Sequence, residues 1–473
     1  MQPVLDYLKQ NQARFLAEFC DYLRFPSVSA QPQHKGDVSA CANWLVAHCR
    51  QIGLEAKLCE TAGHPIVVAK TPDFAALRRG EPASAKRPPG QSAKSGKPHF
   101  MVYGHYDVQP PEPLDLWQSP PFEPRITGRT LYARGSTDNK GQNFAHLKAV
   151  EAYLKTGTPL PCDLTFVLEG EEEVGSESLA DFLKQNRREL QCEAVVISDT
   201  GIPSLKHPAL TYSLRGIMAL EITLHGPVRD LHSGIFGGAV ENPAMALARL
   251  LAGVRNETGR ITIAGFYDGV APLSKFERQQ AARYPLSDAQ LKKLLGAPKL
   301  FGEQGFTPTE QRSARPTFEI NGLTSGYQGE GSKTIVPSWA RAKITCRLVP
   351  DQHPAHVRKC VLAHLKKFCP PTVRMEISIG HGAEAYHVSP TGPLAQASLR
   401  ALRQAFGAEP ILMREGGSIP IVNEFKKILG ADSLLLGLGL PDDNAHSPNE
   451  KFHLDCFEKG QRMSALLWQE LAR

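Results

Sequence analysis

The feature that most constrains the fold is an alternation of short apolar runs with helix-like segments through the first 200 residues. The segments PHFMVYGHYDV, CDLTFVLEG and CEAVVISDT each contain an apolar run typical of a buried strand. Between them, NFAHLKAVEAYLKTG and SESLADFLKQNRREL have apolar residues at helical spacing, and the first ends at Gly157, a common helix stop. This alternation predicts an α/β fold with a mostly parallel sheet and helices on both faces.

The pattern changes near residue 214 and returns near residue 386. Alternating runs such as IMALEITLHG and WARAKITCRLV predict an antiparallel sheet, while PLAQASLRALRQAFG and ADSLLLGLGL again predict a helix and a strand. A chain of 473 residues is also too long for one core. The sequence therefore predicts a catalytic α/β domain interrupted by an inserted α+β lid or dimerisation domain, with the catalytic domain formed by residues 1–213 and 386–473 and the insert by residues 214–385.

Composition and charge argue against several classes of protein. No apolar run approaches the ~20 residues needed to span a bilayer, and the N-terminus lacks the apolar core of a secretory signal. We therefore expect a cytoplasmic protein with no membrane partner. The ten cysteines form no CxxC pair, which favours reduced core residues over a cysteine metal site.

Much of the formal net charge of +6 comes from the Pro- and Gly-rich segment 78–97. Such a composition is unfavourable for packed structure. Because no aromatic residues are interleaved for base stacking, we interpret this segment as a solvated loop and expect no nucleic-acid partner.

Acidic and histidine residues follow apolar runs at several points of the predicted α/β domain. In open α/β sheets, ligands bind outside the carboxyl ends of the strands. We therefore expect five separate segments to meet at one edge of the sheet, contributing His105 and Asp107, Asp138, Glu171 to Glu173, Asp199, and His446.

Such a cluster needs compensating positive charge, because each buried ion costs roughly several kcal/mol unless it is paired. Oxygen ligands mixed with imidazole suit zinc, and also manganese or cobalt. Two metal ions ~3.5–4 Å apart form a known hydrolytic arrangement, and a surplus carboxylate that binds no metal can act as general base. The residues thus predict a metal-dependent hydrolase.

Specific motifs run from about residue 100 almost to the C-terminus: GHYDVQP, ARGSTDNKG, EGEEEVGS, SDT, RDLHSGIFGG, GSKTIVP, CRLVP, GHGAEAYHV, REGGSIP and NAHSPNE. Together they resemble the dizinc metallopeptidase and aminoacylase family, and are closest to its cytosolic non-specific dipeptidase and carnosinase branch. The resemblance implies hydrolysis of the peptide (amide) bond in dipeptides or short peptides by a metal-activated water. It also implies a homodimer.

The resemblance assigns two Zn²⁺ ions to each subunit, with Mn²⁺ or Co²⁺ as alternatives. The implied ligands are His105 and Asp199 for one ion, Glu173 and His446 for the other, and Asp138 between them.

The family pattern Glu-Gly-x-Glu-Glu-x-Gly, aligned on Gly175, makes Glu172 the general base and leaves Glu171 in the variable place. Asp107 would orient the His105 imidazole and raise its basicity.

The inserted domain supplies further candidates through the same resemblance. His232, in DLHSG, would stabilise the oxyanion in the neighbouring subunit's active site. Arg347, in CRLVP, would bind a substrate carboxylate, which a guanidinium matches bidentately. The other positions that match substrate-contacting ones are Thr334, His381, Gly417 and Ser418.

One alternative within the same family is a deacylase or amidohydrolase of N-acyl or N-carbamoyl amino acids. A non-catalytic member is disfavoured, because all five implied ligands and the base are present. A nucleotide-binding loop is disfavoured too, since Ser332 stands in GYQGEGSKT where the motif requires lysine.

Overall fold

The computed structural model describes residues 1–72 and 96–473. The basic segment 78–97 therefore lies almost wholly outside the described residues. Within the described ranges, every helix is too short or too polar to cross a membrane.

The described chain divides into two compact units. Unit 1 comprises Met1–Tyr212, Val388–Met413 and Ile421–Arg473, and unit 2 comprises Ser213–His387 and Arg414–Pro420. The sequence pattern predicts that Arg414–Pro420 belongs to the catalytic domain, whereas this segment lies in unit 2. Side chains of unit 2 hold this segment, because Arg215 Nε donates to the Gly416 carbonyl at 3.1 Å and Arg414 Nη1 donates to Glu277 Oε1 at 2.6 Å.

The strands of the described residues are, in chain order, β1 (Glu55–Cys59), β2 (Ile66–Lys70), β3 (His99–His105), β4 (Arg125–Thr127), β5 (Thr130–Tyr132), β6 (Asp163–Glu169), β7 (Ala194–Ile197), β8 (Ala209–Leu214), β9 (Gly216–His225), β10 (Leu231–His232), β11 (Thr317–Ser325), β12 (Ile335–Val336), β13 (Trp339–Leu348), β14 (Arg374–Ala383), β15 (Tyr386–His387), β16 (Ile411–Glu415), β17 (Asp432–Leu435) and β18 (Lys451–His453).

The α-helices of the same residues are α1 (Gln2–Gln10), α2 (Gln12–Leu23), α3 (Lys35–Ile52), α4 (Lys140–Thr156), α5 (Leu179–Gln185), α6 (Arg187–Leu190), α7 (Ser233–Phe236), α8 (Pro243–Ala252), α9 (Lys275–Ala282), α10 (Asp288–Leu295), α11 (Pro308–Ala314), α12 (Pro354–Phe368), α13 (Pro393–Phe406), α14 (Ile421–Glu424) and α15 (Leu454–Leu471). Short 3-10 turns lie at Pro32–His34, Leu114–Leu116 and Glu172–Val174, and a π turn at Phe425–Leu429.

The centre of unit 1 is a sheet whose strands β6, β3, β7 and β17 are parallel neighbours in that order. Antiparallel strands flank them, with β1 and β2 beyond β6 and with β8 beyond β17. The parallel strands are almost wholly buried, as expected when helices cover both faces.

Helices pack around this sheet in two groups. One group includes α1, α2, α3, α4, α13 and α15, and the other includes α5, α6 and the π turn. Helix α4 ends at Gly157, whose φ of +65° is the left-handed conformation that glycine adopts without strain. The predicted α/β class is confirmed.

Unit 2 contains an antiparallel sheet with the order β11-β13-β9-β14. Burial alternates along β13, so that Ile344 faces the core and Lys343 does not. Helices α8 and α12 cover the apolar face, where Leu247 and Val361 join the core with Ile222 of β9. This is the α+β arrangement that the period-two pattern predicts for the insert.

Candidate metal centre

The parallel strands of unit 1 bring the predicted ligands to one edge of the sheet. His105 is the last residue of β3, Asp199 follows β7 by two residues, and Glu173 lies in the 3-10 turn after β6. Asp138 stands two residues before α4, and His446 lies in the loop before β18. Since parallel strands end at the same edge, residues separated by up to 341 positions in the chain can meet there.

The carboxylate of Asp138 lies between two histidines, with one oxygen at each. His105 Nε2 is 3.1 Å from Asp138 Oδ1, and His446 Nε2 is 2.9 Å from Asp138 Oδ2. Asp199 Oδ1 lies 3.7 Å from His105 Nε2, and Glu173 Oε2 lies 3.4 Å from His446 Nε2. These five residues, called the metal cluster below, form two groups that share Asp138.

The metal cluster contains buried polar atoms without partners. His105 Nε2 and Glu173 Oε1 make no hydrogen bond, although buried polar groups are normally satisfied. Among the described residues, no lysine or arginine forms an ion pair with the cluster's carboxylates. His105, Asp138 and Glu173 each offer a ligand atom within 4.8 Å of the others. Imidazole with carboxylate oxygen is a donor set that fits divalent zinc, manganese or cobalt.

Protons compensate part of the negative charge when no cation is bound. Hydrogen bonds to Asp138 and Glu173 raise the pKa of His446 to about 11. Burial alone would raise the pKa of Asp138, but the neighbouring imidazoles of His105 and His446 lower it below its ordinary value. Burial raises the pKa of Glu173 and of Asp199, and repulsion by Asp138 adds to both shifts. Metal binding at this cluster therefore releases protons.

Glu172, the predicted base, lies beside Glu173 in the same turn. Burial raises the pKa of its carboxyl well above the usual range, and the charges of Asp199 and Glu173 add to the shift. The Glu172 side chain takes part in none of the hydrogen bonds or ion pairs found among residues 1–72 and 96–473. Either oxygen of the ionised carboxylate can therefore accept a proton from a reactant.

Asp107 links two of the predicted ligands. His105 Nδ1 lies 3.1 Å from the Asp107 carbonyl and 3.3 Å from its Oδ1, which directs Nε2 towards Asp138. Asp107 Oδ2 accepts hydrogen bonds from the Glu173 amide at 3.1 Å and from Ser29 Oγ at 2.6 Å. Of these contacts, the sequence predicts only the one with His105.

Glu171, the extra acid of the triplet, turns away from the metal cluster. Its carboxylate accepts from the His64 amide at 2.8 Å and from the Ser178 amide at 3.1 Å. It thereby ties the residue before the turn that presents Glu172 and Glu173 to the loop at His64 and to the backbone at Ser178. Nothing in the sequence signals these bonds, because the partners are backbone groups.

Two amide side chains missed by the sequence analysis hold ligand carboxylates in place. Gln109 Nε2 donates to Glu173 Oε2 at 2.8 Å, and Asn139 Nδ2 donates to Asp199 Oδ1 at 2.8 Å. Such partners orient a ligand before it meets a metal ion. Both lie inside the motifs GHYDVQP and ARGSTDNKG, which was the available signal.

Of the candidates in unit 2, the structure brings together Arg347 and Ser418. Arg347 Nη1 donates to Ser418 Oγ at 2.7 Å, and that hydroxyl donates to the Arg215 carbonyl. Burial lowers the pKa of Arg347. The remaining candidates lie on exposed positions of unit 2, and their predicted substrate roles stay predictions: His232, Thr334, His381 and Gly417.

Imidazoles and carboxylates gathered at the carboxyl edge of an α/β sheet, with no lysine or arginine of the described residues paired to them, form a donor set suited to a divalent metal ion. Residues 101–470 match the model of peptidase family M20/M25/M40, and the chain belongs to this family. The resemblance inferred from the motifs is thereby confirmed.

Full-length relatives support this assignment. The Cys-Gly metallodipeptidase DUG1 of Candida albicans is 32% identical over 97% of this chain and 95% of its own length. The crystal structure of human carnosine dipeptidase 1 superimposes with a TM-score of 0.83 and 26% identity, covering 100% of this chain and 98% of that chain. The dipeptidase Dug1p of Saccharomyces cerevisiae gives a TM-score of 0.82 and 27% identity over the same shares.

Proposed function

We propose that this protein is a metal-dependent dipeptidase that hydrolyses the peptide bond of dipeptides. Membership of the M20 family and the relatives named as dipeptidases support this function. The observation that carries it is the position of Asp138, with one carboxylate oxygen at His105 and the other at His446.

Two Zn²⁺ ions are the proposed cofactors. His105 and Asp199 would hold one, His446 and Glu173 the other, and Asp138 would belong to both. Mn²⁺ or Co²⁺ suits the same donors. When bound, such ions polarise a carbonyl and lower the pKa of water.

Glu172 is the proposed general base. It accepts a proton from the attacking water and returns it to the leaving amine, and its lack of hydrogen-bond partners supports this role. Asp107 keeps the His105 ring oriented so that Nε2 faces Asp138.

Unit 2 supplies the proposed substrate contacts. Arg347, held by Ser418, binds the substrate carboxylate with its remaining N–H groups. Thr334, His381 and Gly417 contact the substrate, and His232 reaches the neighbouring subunit of a homodimer. The exposure of His232 supports that reach.

A cytoplasmic location is part of the same proposal. No disulfide links any of the ten cysteines, which suits a reducing compartment.

Metal analysis combined with a substrate panel tests the function. The purified protein should contain two divalent ions per chain and hydrolyse Cys-Gly, β-Ala-His or other dipeptides. A chelator should abolish turnover, and added Zn²⁺, Mn²⁺ or Co²⁺ should restore it. Turnover of N-acetyl, N-succinyl or N-carbamoyl amino acids without dipeptide turnover would instead identify a deacylase. Dipeptide hydrolysis by a metal-free preparation would contradict the proposal.

A further inference from the structure

The loop that carries Asp138 is folded around the carboxylate of Glu450, a fully buried residue. Glu450 Oε1 accepts from the amides of Thr137 at 2.9 Å and Asp138 at 3.1 Å. Glu450 Oε2 accepts from the Gly135 amide at 2.9 Å and from Arg134 Nη1 at 2.8 Å. Converging backbone N–H groups form an anion-binding nest, and here the anion is a side chain of the protein itself.

The same residue holds the loop that carries His446. His446 and Asn449 have φ angles of +63° and +61°, in the left-handed region that few non-glycine residues occupy, although asparagine and histidine enter it more often than most. The Glu450 carbonyl accepts from the Ala133 amide at 3.1 Å, and Asn449 Oδ1 accepts from the Gln118 amide at 2.8 Å. Glu450 is therefore the point at which the Asp138 loop and the His446 loop are joined.

Glu450 does not act as a ligand itself. Each of its oxygens already accepts two hydrogen bonds, and Arg134 pairs with its charge at 2.8 Å. Asp138 differs from Glu450 in what its carboxylate contacts. Its backbone amide donates to Glu450, while its two carboxylate oxygens face the two histidines.

We propose that Glu450 is a positioning residue for the metal ions, because it fixes the backbone that presents Asp138 and His446. This inference rests on the proposed function, in which those two residues are ligands. It assigns to Glu450 an effect on metal affinity rather than on a step of the reaction.

The substitution Glu450→Gln removes this support while keeping the size of the side chain. The amide has one oxygen and one NH₂ group, so either orientation places N–H donors against two further N–H donors. The buried guanidinium of Arg134 also loses its counter-charge. Glu450→Asp keeps the charge and both oxygens but draws them back by one methylene.

Competition with a chromophoric zinc chelator measures the effect. Glu450→Gln should lower the zinc affinity about 10- to 100-fold, as loss of a partner that orients a ligand typically does. Glu450→Asp should lower it less. The control is Glu151→Gln, since Glu151 is also a buried glutamate of unit 1 with a cationic partner, Lys148, at 2.8 Å. Glu151→Gln should lower the melting temperature and leave the zinc affinity unchanged.

Wild-type zinc affinity in Glu450→Gln would overturn the inference, and so would an equal loss of affinity in Glu151→Gln. If Glu450→Gln does not fold, Glu450→Asp decides, because unchanged affinity in that variant would also overturn it. Failure of the proposed function has a different signature, namely a wild-type protein that binds no zinc.

Discussion

Among the described residues of unit 1, two groups of acids and histidine have ligand atoms at metal-binding spacing, and one of them has no ion pair with lysine or arginine. In the lysine cluster, defined by Glu18, His48, Glu151 and Lys148, the ligand atoms of the first three lie within 4.8 Å of one another. The buried Lys148 ammonium lies among them, 2.7 Å from His48 Nε2 and 2.8 Å from Glu151 Oε2. In the metal cluster, no lysine or arginine of the described residues takes that place.

The two clusters shift the pKa of their histidines in opposite directions. In the lysine cluster, burial and the Lys148 charge lower the pKa of His48 to about 3, so the ring is neutral and accepts a hydrogen bond from the ammonium. In the metal cluster, hydrogen bonds to Asp138 and Glu173 raise the pKa of His446 to about 11. A group of carboxylates with its own lysine ammonium is closed, whereas one whose positive charge comes only from protonated histidines is open to a metal ion, because that ion can displace the protons.

The largest expected effect is a loss of kcat when Glu172, next to Glu173 of the open cluster, is replaced. Glu172→Gln should lower kcat about 10²- to 10⁴-fold, because the proton acceptor is lost, while the metal content stays unchanged. Steady-state kinetics and metal analysis of the same preparation check this. The matched change in the lysine cluster, Glu151→Gln, should leave kcat within a few-fold of wild type under conditions in which the variant is folded. Near-normal kcat in the Glu172→Gln protein would show that Glu172 is not the general base.

Removing the internal cation should turn the closed cluster into an open one. Lys148→Met leaves the Glu18 and Glu151 carboxylates without the buried ammonium, and should lower the free energy of unfolding by about 3–5 kcal/mol. Because Glu18, His48 and Glu151 already lie at ligand spacing, Zn²⁺ should recover part of that loss. Urea denaturation with and without Zn²⁺ measures both effects. Equal stabilisation of wild type and variant by Zn²⁺ would show that the opened cluster binds no metal.

The depressed pKa of His48 predicts that the stability contributed by the closed cluster depends on pH. The folded protein keeps His48 neutral down to about pH 3, whereas the unfolded chain takes up a proton below about pH 6.5. The contribution of neutral His48 is therefore present above pH 6.5 and is lost as the pH falls towards 3.

Relative to His48→Gln, the wild type should lose about 2 kcal/mol of unfolding free energy between pH 8 and pH 5. Urea titrations of both proteins at the two pH values give this difference. Parallel pH profiles would mean that His48 can be protonated inside the fold.

The smallest effect is expected for the outer cation of the lysine cluster. Arg14 pairs with Glu18 at 2.7 Å and with the buried Glu151 at 2.5 Å, but its own side chain is 40% exposed, and Lys148 remains beside both carboxylates when Arg14 is replaced. Arg14→Gln should lower the free energy of unfolding by about 1 kcal/mol or less, and added salt should shrink the difference. A loss as large as that of Lys148→Met would show that the greater burial of Lys148 does not make its ion pairs more stabilising than those of Arg14.

Much of the metal cluster could be predicted from the sequence, because the position after a parallel strand determines the edge at which a residue lies. His105 and Asp199 follow strands that the apolar runs reveal, and the structure places their side chains 3.7 Å apart. The residues that hold the ligands could not be predicted. Glu171 and Glu450 act through backbone amides of loops that only the folded chain brings near them.

The sequence by itself determined the α/β alternation and the family, because both can be recognised from local residue spacing and from motifs of a few residues. Only the tertiary structure decided which acidic cluster is open to a metal ion. Lys148 and Glu151 are three residues apart on α4, but nothing local shows that Glu18 and His48 join them. Charge compensation depends on distances in space, and the Lys148 ammonium contacts Glu18 although the two residues are 130 positions apart in the chain.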